Sequence, residues 1–146
     1  MGPASSSRDN ARALSQANVD LFWLGIKAFN DRDVDSLDEW ITEDFEFVPY
    51  LATLIETSTY RGHDGLRKYL EDADAAWKSF HVSVEEVRDL GDRVLAFGEI
   101  RGRGRRSGLE VRVPLAWLVE FQQGKLRRNR AFPDRSEALE AAGIKG

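Results

Sequence analysis

From Phe80 onward the apolar residues recur at every second position, whereas between Val19 and Trp77 they recur at steps of three and four. Helices gather side chains on one face with a period of 3.6 and strands alternate theirs with a period of two, so this switch sets the class of fold. Val19, Phe22, Trp23, Ile26 and Phe29 form the stripe of a helix over 15–30, and Val34, Leu37, Trp40 and Ile41 that of a short second helix capped by Asp33. Asp44 to Tyr50 alternates as a first strand that Pro49 ends, and Leu66, Tyr69, Leu70, Ala73 and Trp77 mark a third helix entered through the turn Tyr60-Arg-Gly-His-Asp-Gly65. Strands at 80–84, 94–103, 109–121 and 126–132 follow, separated by glycine-bearing turns, and Asp134 to Glu137 has capping-box spacing before a last helix that Gly143 stops. The order ααβαββββα implies an α+β fold, a curved antiparallel sheet covered by the N-terminal helices.

The 146 residues suit one domain, placed at 15–146 behind a flexible extension over 1–14. A 42% hydrophobic content excludes wholesale disorder, and no apolar run approaches the roughly 20 residues that span a bilayer. The small, polar start carries no signal-peptide core, so the expected compartment is cytoplasmic and no membrane partner is expected. With no cysteine and two histidines, neither a metal site nor a cofactor is implied. The net charge of −4 conceals segregation: residues 31–74 carry thirteen acids against four bases, and residues 101–130 nine bases against two acids. Opposed segments pair within a fold or surround an anionic ligand, whereas nucleic-acid binding calls for a field of one sign. Arg101 to Gly108, Arg/Gly-rich but short and without aromatics, reads as a solvated hairpin turn. No phosphate-cradling glycine loop and no serine elbow is present.

The element order, with Ala28-Phe-Asn-Asp-Arg-Asp33, Phe47-Val-Pro49, Tyr60 to Gly65, Gly124-Lys-Leu-Arg and Asp134 to Gly143, resembles the nuclear transport factor 2-like superfamily and, within it, the SnoaL-like domain group. The resemblance spans about Ser15 to Gly143 and implies a cone whose open end admits a small apolar molecule. It leaves the activity open, since such domains include isomerases, cyclases, epoxide hydrolases, binding domains and assembly modules. Ketosteroid isomerases of this fold use an aspartate base with a tyrosine and a protonated aspartate as oxyanion hole. Here the corresponding positions fall on Val48, Gly25 and Ala116, so that chemistry is disfavoured.

Remaining candidates for chemistry are His63 as a general base, or Glu99 with Arg112, because Glu99 and Arg101 share a strand face and resemble the acid–arginine pairing of epoxide hydrolases. The blander readings are a turn-binding role for His63 and cross-strand charge pairing for Glu99, Arg101, Glu110 and Arg112. The strand from Glu110 divides into an apolar face (Val111, Val113, Leu115, Trp117, Val119, Phe121) and a mixed one. Alignment on Pro114 turns Ala116 and Leu118 inward and the apolar face outward, which implies a homodimer through that face. The expected pocket comprises Phe22, Ile26, Val48, Tyr50, Tyr60, His63, Trp77, Glu99, Arg112, Ala116 and Leu118, and would take a small apolar or carboxylate-bearing molecule. A binding domain, a cofactor-independent isomerase, cyclase or epoxide hydrolase, and a protein-assembly module all fit this reading.

Overall fold

A computed structural model describes residues 3–50 and 59–145, with side chains from Arg12 onward. Helix α1 (Pro3–Asp31) is followed by α2 (Val34–Trp40), strands β1 (Ile41–Val48) and β2 (Tyr60–Arg61), helix α3 (Gly62–Ala76), strands β3 (Trp77–Asp89), β4 (Arg93–Gly104), β5 (Glu110–Gln122) and β6 (Lys125–Phe132), and helix α4 (Arg135–Ala142). The order is that expected, with the two-residue β2 added. The six strands form one sheet in the order β2-β1-β6-β5-β4-β3. It is mixed rather than wholly antiparallel, because β1 runs parallel to β6. The aperiodic stretch at 53–58 lies outside the described residues, as do Met1 and Gly2.

Local chemistry explains the joints. Arg32 takes a left-handed conformation (φ 58°) at the end of α1, a position that usually favours glycine, while the Asp33 amide donates to the Ala28 carbonyl at 2.8 Å. The Arg32 guanidinium donates to the Phe29 carbonyl at 2.7 Å and lies 5.0 Å over the Phe29 ring, which helps offset the backbone strain. Asp33 then caps α2, accepting from the Ser36 amide and hydroxyl at 3.2 and 2.7 Å. Asn30 uses both ends of its amide on the backbone of Val82, each at 2.9 Å, tying α1 to the free edge of β3.

The sheet buries both faces. Its concave side packs Val94, Ala96, Ile100, Leu115, Trp117 and Val119 against α1, α2 and α3, and its convex side packs Leu95, Phe97, Ala116 and Leu118 against Ala138, Leu139 and Ala142 of α4. The expected inward and outward faces of β5 are therefore exchanged. Ala116 and Leu118 lie under α4, and the apolar face argued to join two subunits is turned into the core. No helix among the described residues is long and apolar enough to cross a membrane.

Helix α4 is also held by charge. The Arg135 guanidinium donates to both oxygens of Glu86 at 3.2 Å and lies 4.0 Å over the Phe97 ring, and Arg88 donates to Glu86 at 2.8 Å. Hydrogen bonds from Arg135 and then Arg88 hold the Glu86 carboxyl below its ordinary value of 4.5. A carboxyl with a lowered folded pKa adds stability that is present above the unfolded value and lost as pH falls through the folded one. Melting temperature is thus expected to drop on acidification below about pH 4.5, with a shallower drop in Glu86→Gln, measured by circular dichroism between pH 6 and 3.

Candidate functional site

The three N-terminal helices and the strands β1 and β3–β6 close around a cavity of about 80 Å³ on the concave side of the sheet. Helix α1 brings Phe22, Gly25, Ile26 and Phe29, at the three- and four-residue steps of its inward stripe. β1 contributes Phe45 and Phe47, α3 contributes Leu66 and Tyr69, and the long strands contribute Trp117, Val119 and Asn129. The aromatic wall is continuous: the Tyr69 ring meets Phe47 edge-on at 4.5 Å and Tyr60 at 5.3 Å, and it stacks on Phe29 at 6.1 Å. A smaller lobe of about 20 Å³ lies behind Trp117 and Tyr69, lined in part by Pro49 and Tyr50.

Among the described residues, two polar side chains enter this lining. Asn129 points inward from β6 opposite Val119, and its Oδ1 is buried without a hydrogen-bond partner. Burial pushes the Tyr69 phenol above its ordinary value, so at neutral pH it remains a protonated donor. Among the described residues, no carboxylate, histidine, lysine or arginine lines the cavity. The described walls can therefore hold a carbonyl or hydroxyl by hydrogen bonds, and none of their described side chains exchanges a proton near neutrality.

Of the residues expected in the pocket, Phe22 and Ile26 line the cavity, and Tyr50 lines the smaller lobe. Tyr60 stands behind Tyr69, donating to Asp72 at 2.7 Å. Burial, reinforced by that bond, raises its phenol to about 12. Val48 and Trp77 are outside the lining, and Trp77 packs against Phe80 at 5.8 Å. His63 begins α3 and turns toward α2, its Nδ1 3.3 Å from Asp38, which Arg67 also grips. Glu99 and Arg112 belong to the convex face. Glu99 accepts from Arg112 at 2.7 Å and from Arg101 at 2.8 Å, an ion-pair ladder separated from the cavity by the sheet. The register explains the displacement: Glu99 and Arg112 share the side of Phe97 and Ala116, while Ile100 and Val113 take the concave side. Asn129, Tyr69, Trp117 and Val119 are among the lining residues that sequence reasoning did not place in the pocket.

Residues 25–129 match the family described as the SnoaL-like domain. Among solved structures, the chain is similar to a nuclear transport factor 2-like protein of unknown function from Burkholderia pseudomallei K96243 (16% identity, TM-score 0.72, covering 85% of this chain and 95% of that one). It is similar also to TerC co-crystallised with polyporic acid (21%, 0.72, 86% and 96%) and to a protein named as a SnoaL-like polyketide cyclase from Jannaschia sp. CCS1 (19%, 0.71, 91% and 96%). At these identities the likeness is one of fold. No curated protein matches the chain in sequence.

Proposed function

Because the chain belongs to the SnoaL-like domain family, we propose that it binds a small, neutral, mostly apolar organic molecule inside its cone, held at one end by Asn129 and Tyr69. The buried, unpartnered Oδ1 of Asn129 carries this reading. A buried amide oxygen without a partner costs roughly 1–3 kcal/mol, and a ligand hydroxyl donating to it would recover much of that. The lining favours a neutral ligand, since none of its described residues is a cation that would pair a carboxylate. TerC with polyporic acid and the cyclase-named protein support an organic occupant for this architecture, and the described lining, Asn129 and Tyr69 among apolar side chains, favours binding over proton transfer.

The about 80 Å³ present is roughly half the ~150 Å³ apolar cavity that accepts one benzene, so a ring requires the aromatic wall to adjust. Phenol, toluene and benzoate are therefore apt probes, followed by ligand-detected NMR. Phenol is expected to bind tightest and benzoate weakest. Asn129→Leu should lower the preference for phenol over toluene by about 2–10-fold, the worth of one neutral hydrogen bond. Benzoate binding as well as phenol, or none of the three binding, would overturn the reading.

A further inference from the structure

The convex face carries a second polar cluster at the end of the sheet away from Glu99. Arg93, Glu120 and Arg128 stand opposite one another across β4, β5 and β6, and Arg130 follows two residues along β6 on the same face, beside Leu118. Directly opposed side chains have Cβ atoms about 5 Å apart, so Arg93 and Arg128 flank Glu120 from either side, with Arg130 next along the same face. Their charges are poorly matched. Glu120 Oε2 is 3.7 Å from Arg128 Nη1, beyond hydrogen-bond range, and the other acid, Asp92, is largely exposed and 3.9 Å from Arg93. Glu120 Oε2 and the Nε atoms of Arg128 and Arg130 are all buried without a hydrogen-bond partner. Arg130 is held below its ordinary range by burial and then by Arg128, with Glu120 opposing and Arg93 adding a smaller lowering. Its guanidinium lies 5.7 Å over the Phe132 ring, which limits its freedom to swing into water.

Three arginines set against one buried carboxylate and one exposed one leave positive charge in excess and hydrogen bonds unmade, and planar guanidinium forks suit the oxygens of a phosphate or carboxylate. We propose that Arg93, Arg128 and Arg130 form an oxyanion-binding site on the convex face, taking the phosphate or carboxylate group of a small molecule. The site is separated by the thickness of the sheet from the cavity around Asn129, and it does not depend on that cavity being occupied.

Inorganic phosphate and acetate, each titrated against sodium chloride of matched ionic strength, test the assignment by thermal shift and by NMR of the arginine Nε–H groups. One of the two anions is expected to raise the melting temperature above the chloride control. A larger rise with phosphate assigns a phosphate group, and an equal or larger rise with acetate assigns a carboxylate. Arg130→Met should weaken the anion by about tenfold or more while leaving the anion-free melting temperature unchanged or higher, because a buried like charge has been removed. Arg130→Lys keeps the charge but loses the fork, and should fall between. Arg112→Gln, on the same face within the Glu99 ladder, should leave the anion's affinity unchanged. Equal shifts with both anions and chloride, or an equal loss in Arg112→Gln and Arg130→Met, would overturn the proposal.

Discussion

Trp117→Ala is expected to cost about 3–5 kcal/mol of stability, the range for deleting a buried aromatic, and to lower the melting temperature by roughly 10–20 °C. The indole is 5% exposed and stands between two alanines in the ladder, Ala96 on β4 and Ala131 on β6, so the small neighbours cannot fill the space it leaves. It also forms part of the wall of both cavity lobes, and truncation would join about 80 and about 20 Å³ to the volume of the lost ring. An enlarged apolar cavity of that kind stays dry and accepts benzene, so saturating benzene should restore part of the loss in the variant and less in the parent. The same variant tests the register of β5. With Trp117 inside the core, the loss is independent of protein concentration. On the outward reading, Trp117 would lie in a subunit interface and the melting temperature would fall further on dilution. Urea melts at two concentrations a hundredfold apart separate the two.

The element order was legible because helices and strands were written with unmixed periods: Phe22, Ile26 and Phe29 on one side of α1, and Phe80, Val82 and Val84 on one side of β3. The face of β5 was not legible for a physical reason. Between Leu115 and Val119 every residue is buried, because the sheet is covered on both sides, by the N-terminal helices and by α4. Alternation then carries no signal, and aligning on Pro114 chose the wrong side. One residue of slip moved Ala116, Leu118, Glu99 and Arg112 to the pocket together, as expected where side chains alternate with period two. Asn129 was hidden differently. It lies among Arg127, Arg128 and Arg130, where it reads as one more solvated polar residue, and a register shift between Glu120 and Phe121 breaks the alternation that would have pointed it inward. Tyr69 was visible as part of a helical stripe, but the hydroxyl that makes it useful to a ligand contributes nothing to that pattern.

The same glycine-to-alanine chemistry should act with opposite signs at Gly98 and Gly25. At Gly98, on the concave side of β4 opposite Val84, a methyl carbon would fall 2.0 Å from the Ser83 carbonyl oxygen and 2.9 Å from the Val84 Cα. Both are backbone atoms, and β3 is irregular there between Val84 and Glu86, its extra residue bringing the main chain over the glycine. No rotamer change relieves the contact, so the strands must part. Gly98→Ala is expected to cost at least about 3 kcal/mol, the upper end of ordinary overpacking, and to loosen the β3–β4 ladder on which the back wall of the cavity rests. At Gly25, within α1, the nearest atom to an added methyl is Leu126 Cδ1 at 3.6 Å, an ordinary contact. Alanine also suits a helix interior better than glycine by about 0.5–1 kcal/mol, so Gly25→Ala should raise the melting temperature by a few degrees. Its methyl enters the cavity lining, where it should weaken phenol and toluene alike without touching the Asn129 preference between them. Melting curves with the two NMR titrations read all three effects. A Gly98→Ala protein as stable as the parent would mean that β3 does not close over β4 at this point, and with it the depth assigned to the cavity would be lost.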